Sequence, residues 1–264
     1  MERIDLTEPA RQAMTLLVYG APGTGKSTLA AQLAGAAERA NKPGILIDTE
    51  RGLLSAARDA GLTSTILLSA TGPGDGQAIL AEGQRQVSSP DAGLFVIDTV
   101  SELAELILRD ASGASDTPQL QHYGTRKAVL QRTTRAVRDA SGCGIPAVVT
   151  AQQEAKEVEG LTGHWRPGVP NAVVMDVVAQ FDCVARLRIV QDHEAERLQL
   201  DAGVRYLDFR GGPQQVAKCR TAGELFGDRP NDWHIWPLRG PDDADKLYSI
   251  LSRNTAANEG AAND

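Results

Sequence analysis

The sequence predicts an α/β fold: a mainly parallel sheet flanked by helices, with antiparallel strands at its C-terminal edge. Three observations predict the layout. Short β-rich apolar runs alternate with Ala/Leu-rich helical segments through the first half of the chain. Two further strand-like runs, 183–190 and 204–209, lie close together late in the chain and read as an antiparallel pair. Aromatic residues are only 4% of 264, against 42% hydrophobic overall, which suits Ala-rich helices on a sheet better than a β-sandwich.

The elements follow in order. Met14–Tyr19 is apolar and ends in a Gly-rich turn, so it reads as a strand, and Ser27 to about Arg39 reads as a helix. Gly44–Asp48 is a second strand, Gly52–Ala60 a short helix and Ser64–Leu68 a third strand. A Gly/Pro loop at Thr71–Gly76 leads into a helix at Gln77–Val87, and Leu94–Asp98 is a buried strand. Helix continues to Arg109; after a polar loop at Ala111–Pro118, a long amphipathic helix spans Leu120–Ala140. Ile145–Thr150 is the next strand. The Gly- and Pro-containing stretch Glu154–Pro170 reads as a flexible loop. A helix, the late strand pair and a final helix at Asp242–Ser252 complete one core over 1–252, with 253–264 as a disordered tail. About 14 residues precede the first strand, and the expectation is that they form no separate N-terminal domain.

Composition narrows the function. A net charge of −7 argues against a protein that coats nucleic acid by bulk charge. Three scattered cysteines form neither a disulfide framework nor a zinc motif. The N-terminus has no signal-peptide h-region, and no window approaches 18 apolar residues. The expectation is a cytoplasmic protein with no membrane partner.

One motif carries most of the chemistry. Gly20-Ala21-Pro22-Gly23-Thr24-Gly25-Lys26-Ser27, followed by Thr28, fills every fixed position of G-x-x-x-x-G-K-[ST] between a predicted strand and a predicted helix. Glycines let consecutive N–H groups turn inward as an anion nest, and the helix N-terminus adds its positive end. Lys26 is expected to reach the β- and γ-phosphates, and the Ser27 hydroxyl to serve as a hard ligand. The cofactors implied are ATP and Mg²⁺.

Strand ends supply the partners. Asp98 closes an apolar strand, where a second carboxylate on the Mg²⁺ side belongs; the next residue is Thr99, not the Glu that follows in many P-loop ATPases. A base must come from elsewhere. The second strand ends Asp48-Thr49-Glu50, at the edge of a parallel sheet where ligands bind. Glu50 is the candidate to hold an attacking water, with Asp48 a weaker rival.

With Ile47-Asp48-Thr49-Glu50 and Ile97-Asp98-Thr99-Val100 in place, the chain resembles the RecA-like recombinase and helicase-core ATPases over about Thr15–Arg220. The resemblance implies a polar sensor at Gln153, or second Gln152, after the strand that follows the long helix. It also implies that Lys218 and Arg220 act in the ATP site of a neighbouring subunit, which requires a homo-oligomer. Two cations at i and i+2 on a strand share a face, so both can meet one phosphate. The family binds DNA through two loops, and the residues matching the second here are Lys156, His164, Trp165 and Arg166. The short chain looks like the small core-only RecA-like ATPases of bacteriophages. That implies single-stranded-DNA binding in recombination or annealing, a single-strand-binding protein as partner, and the host cytoplasm as location. The alternatives are an ATP-switched assembly or replication adaptor with little hydrolysis, and a P-loop kinase for a small molecule.

Overall fold

Strands whose residues are apolar on both faces need helices above and below, and this requirement organises the sheet. The structure, a computed structural model, describes residues 13–70, 72, 74–87, 91–113, 117–158, 161–227 and 234–253. The strands are β1 (Thr15–Gly20), β2 (Gly44–Asp48), β3 (Ile66–Ser69), β4 (Leu94–Asp98), β5 (Ala147–Val158), β6 (Leu161–Pro167), β7 (Cys183–Ile189), β8 (Arg205–Asp208), β9 (Lys218–Cys219) and β10 (Ile235–Leu238). The helices are α1 (Lys26–Arg39), α2 (Leu53–Asp59), α3 (Asp75–Val87), α4 (Val100–Ser112), α5 (Leu120–Gly142), α6 (Val174–Gln180), α7 (Asp192–Leu198), α8 (Ala222–Phe226) and α9 (Pro241–Leu251).

The sheet runs β10-β8-β7-β1-β5-β4-β2-β3. Pairing is parallel from β7 through β3 and antiparallel at β7–β8 and β8–β10, as the sequence predicts. The period-2 alternation of the strands splits the core into two layers. Leu17, Tyr19, Ile47, Ile97 and Val149 face one side, packed with Leu103, Ile107 and Leu130. Leu16, Val18, Leu46, Val96 and Val148 face the other, packed with Leu29, Leu33 and Leu247. No described helix is long and apolar enough to cross a membrane.

Two parts differ from the expectation. The stretch read as a flexible loop is a β-hairpin: β5 runs on past Thr150 to Val158 and pairs antiparallel with β6, Glu154 opposite Arg166 and Lys156 opposite His164. The late strand pair is not a tight hairpin, because α7 lies between β7 and β8, opened by a Gln191/Glu194 capping box. The expected disordered tail falls, from 254 on, outside the described residues, as do 114–116 of the polar loop.

The topology brings the C-terminal ends of β1, β2, β4 and β5 to one edge. Register aligns Gly20 with Gln152 and Asp48 with Asp98. Residues more than 130 positions apart therefore meet there.

Candidate nucleotide-binding site

The turn between β1 and α1 has the backbone that a phosphate cradle needs. Gly23 (φ +77°) and Gly25 (φ +97°) lie in the left-handed region that glycine adopts without strain. Lys26 is buried, and its Nζ donates to the carbonyls of Gly20 (3.0 Å) and Ala21 (3.1 Å) and to Gln152 Oε1 (3.2 Å). Burial pulls the Lys26 pKa below the ordinary lysine value, against the upward pull of the Glu50 and Asp98 carboxylates. An ammonium already ringed by oxygens fits a phosphate-holding role, because phosphate oxygens offer the same acceptors.

Asp98 is only 1% exposed at the end of β4. Its carboxylate takes hydrogen bonds from the Ser27 and Thr150 hydroxyls. Burial nonetheless raises its pKa, with Glu50 and Asp48 adding to the rise. A serine hydroxyl against a carboxylate is a hard-oxygen pair, the donor chemistry Mg²⁺ takes. Ser27 and Asp98 are thus the residues here that could hold it.

Glu50 sits just past β2. Its carboxylate accepts from the Thr99 hydroxyl at 2.7 Å and from Gln152 Nε2 at 2.9 and 3.2 Å. Asp48, the rival, is fully buried and accepts the N–H groups of Glu50 (3.2 Å) and Leu53 (3.0 Å). It shapes the β2–α2 turn, and both its oxygens are engaged by that backbone. Thr99 caps α4 by accepting from the Glu102 N–H, so the residue that replaces the usual Glu positions Glu50 instead. Thr49 ties the two strand ends, its hydroxyl accepting the Thr99 N–H at 2.9 Å. A cleft of about 830 Å³ opens beside Glu50, lined by Arg51, Glu102, Arg109 and Asp110 among others.

The strand-end glutamines divide by strand phase. Gln152 lies on the face shared with Thr150 and touches both Lys26 and Glu50. Gln153, the first candidate for sensor, points the other way, its Oε1 accepting from Arg186 Nε at 3.2 Å. The structure therefore puts Gln152, not Gln153, at the site.

A family model described as an AAA domain matches residues 12–221, four-fifths of the chain. The chain belongs to the AAA domain family. Among solved structures, one described as an ATPase domain aligns over 90% of this chain and 84% of that one, with a TM-score of 0.50 at 13% identity, a likeness of fold. No curated protein matches. This AAA domain is a RecA-like P-loop ATPase fold, and its two carboxylates flank the loop from different strands.

Other residues singled out from the AAA domain's sequence lie away from Lys26. Lys218 and Arg220 share a face, as their i, i+2 spacing predicts, and both reach the Ala179 carbonyl, at 3.4 and 3.2 Å. Burial, then the Arg220 charge, lowers the Lys218 pKa. On the hairpin, Arg166 is 5% exposed and bonded to Glu154 and Asn171, so it is not available to a phosphate as expected. The Trp165 ring is covered by the Arg186 guanidinium at 4.4 Å and packs on the core, so the expected stacking platform is occupied. His164 Nδ1 lies 2.8 Å from the Pro213 carbonyl, and Lys156 alone of the four is exposed.

Sequence reasoning missed Arg205. From the start of β8 its Nε donates to the Thr24 carbonyl at 3.0 Å, and its side chain crowds Gly25 so closely that a Cβ there would meet it at 2.7 Å. The pair is 181 residues apart, and only the β7–β8 return brings it home.

Proposed function

We propose that residues 1–252 act as one ATPase core that hydrolyses Mg²⁺·ATP, works as a homo-oligomer and acts on single-stranded DNA in a recombination or annealing step. The observation that carries the reading is the Glu50 carboxylate, held by Thr99 and Gln152 and linked through Gln152 to Lys26. A carboxylate fixed by two donors, beside an ammonium suited to phosphate, is placed to orient a water and accept its proton.

In this scheme the loop N–H groups and Lys26 hold the phosphates, and Ser27 and Asp98 hold the metal. Mg²⁺, when bound, neutralises charge on the phosphate oxygens. Gln152 touches both Lys26 and Glu50, so it is suited to report whether the γ-phosphate is present. Lys218 and Arg220, remote from their own chain's loop, serve a neighbouring subunit. The oligomer and the DNA rest on the RecA-like resemblance, as does a single-strand-binding protein as partner.

The test is ATP hydrolysis with and without single-stranded DNA. Lys26→Ala and Glu50→Gln should each abolish turnover while the protein stays folded. Turnover that survives Glu50→Gln would overturn the assignment of the base, and the absence of any DNA effect would overturn the DNA half. Mixing Lys26→Ala with Arg220→Ala protein should restore partial activity, because one interface then has an intact loop and an intact finger. No restoration would remove the trans role.

A further inference from the structure

The hairpin cannot be the main cationic contact for nucleic acid, since Arg166 is paired with Glu154 and Trp165 is covered by Arg186. Many cations of this chain are similarly engaged: eight arginines reach a carboxylate among the described residues. Helix α5 is different. It carries five cations against one carboxylate, Asp139, a net +4 within a chain of net −7.

Four of those five, Lys127, Arg132, Arg135 and Arg138, are exposed, and none forms an ion pair among the described residues. The fifth, Arg126, pairs with Glu105. At ~100° per residue, the four exposed cations fall within about 140° of one another, and from Lys127 to Arg138 they span about 16 Å of helix. The opposite side is the buried stripe of Val129, Leu130, Thr133, Val137 and Ala140, so the cationic face is fixed outward. Acids near this face are Asp139 and, on α6, Asp176, whose carboxylate accepts from the Gln131 amide.

A recess lies beside the two central arginines. Arg132 and Arg135 rim a cleft of about 470 Å³ between α3 and α5, bounded also by Val87, Phe95 and Ala136, with Asp139 the one carboxylate in its lining. Cations edging an apolar recess suit a polyanion that also carries flat apolar groups. A single nucleic-acid strand is such a polyanion, with unstacked bases beside its phosphates.

We propose that the outer face of α5, through Lys127, Arg132, Arg135 and Arg138, is the phosphate-backbone contact for single-stranded nucleic acid. The proposal rests on the DNA reading above and gives it a surface. Binding there is electrostatic and sequence-tolerant, because guanidinium groups on an exposed helix read charge rather than base edges.

The experiment measures binding of a fluorescent thirty-residue oligo(dT) to the full chain across a salt series, with ATP binding recorded in parallel. Each backbone contact releases ~0.7 of a cation, so removing three should reduce the slope of log K against log salt by about 2 and weaken binding at 0.15 M salt roughly fiftyfold. Arg132→Gln/Arg135→Gln/Arg138→Gln should show that loss with ATP binding unchanged. The corresponding triple Lys variant should retain the slope. Wild-type slope and affinity in the triple Gln variant would overturn the surface while leaving the DNA reading intact. A wild-type protein that binds no oligo(dT) would overturn both. Retained oligo(dT) binding with loss of an acidic protein partner would assign the face to that partner and refute the proposal.

Discussion

Replacing Gln152 by alanine separates the two strand-end glutamines. The Gln152 amide donates to Glu50 at 2.9 and 3.2 Å and accepts from Lys26 at 3.2 Å. A hydrogen bond to a charged group contributes about 1.5–3 kcal/mol when buried. Gln152 is half-buried, so about 1 kcal/mol for each charged partner is the fitting scale, or about 2 kcal/mol in all. If this positioning is expressed in the transition state, kcat falls roughly thirtyfold at ~1.4 kcal/mol per factor of ten. ATP affinity should change less than threefold, since Lys26 keeps its loop contacts. Gln153→Ala removes only the bond to Arg186 and should leave kcat within a factor of about three. Steady-state hydrolysis and nucleotide titration of both variants decide the matter. Equal damage from the two substitutions, or a normal Gln152→Ala enzyme, would refute the reasoning.

Asp98→Asn should end Mg²⁺-dependent hydrolysis yet raise the thermal midpoint at pH 7. Burial raises the folded-state pKa of this carboxyl above its ordinary value, so losing its proton opposes folding, a penalty absent below the unfolded value and growing as pH rises from there toward the raised one; a lowered midpoint would contradict this. Burial pushes Glu38 up, but hydrogen bonds from Thr65 and from the backbone of Thr63, Ser64 and Thr65 outweigh it and hold its pKa down to about 2. Its stabilisation is present above the unfolded value near 4.5 and is lost as pH falls toward 2. Glu38→Gln should therefore cost about 1 kcal/mol at pH 7, screened by solvent, and nothing near pH 2, as read by urea titration at the two pH values. Arg166→Ala should lower stability by about 1–2 kcal/mol and change oligo(dT) affinity less than twofold, because its guanidinium serves Glu154 and Asn171; a large affinity loss at unchanged stability would return Arg166 to the DNA contact.

The parallel sheet was legible because β1, β2 and β4 are unbroken apolar runs, and the phosphate loop because its fixed residues are punctuated by glycine. The hairpin was not. From Gln152 to Glu157 the chain is polar on both faces apart from Ala155, so no period-2 pattern marks a strand. Gly160, Gly163 and Pro167 looked like loop chemistry, although β6 runs through Gly163 and ends at Pro167. Adjacent glutamines carry no phase information either. That phase is set by pairing with β1, where Gly20 stands opposite Gln152. Arg205 lies beyond any local signal, because its contact with Thr24 exists only once β8 has folded back along β7. The Glu50–Thr99 bond is of the same kind: each residue is ordinary alone, and their meaning comes from the parallel register of β2 and β4.

The uninterrupted course of β5 has a mechanical consequence. The strand begins in the core at Ala147, passes the nucleotide loop at Gln152 and continues without a break as one arm of the hairpin. A hinge would absorb a shift at Gln152, whereas a hydrogen-bonded strand carries it along its length. Lys156 lies about 13 Å farther along the same ribbon. The arm therefore has the form of a lever whose short end sits against Lys26, and any shift of Gln152 at the loop would be carried along it as far as Lys156, before the register irregularity between Lys156 and Val158.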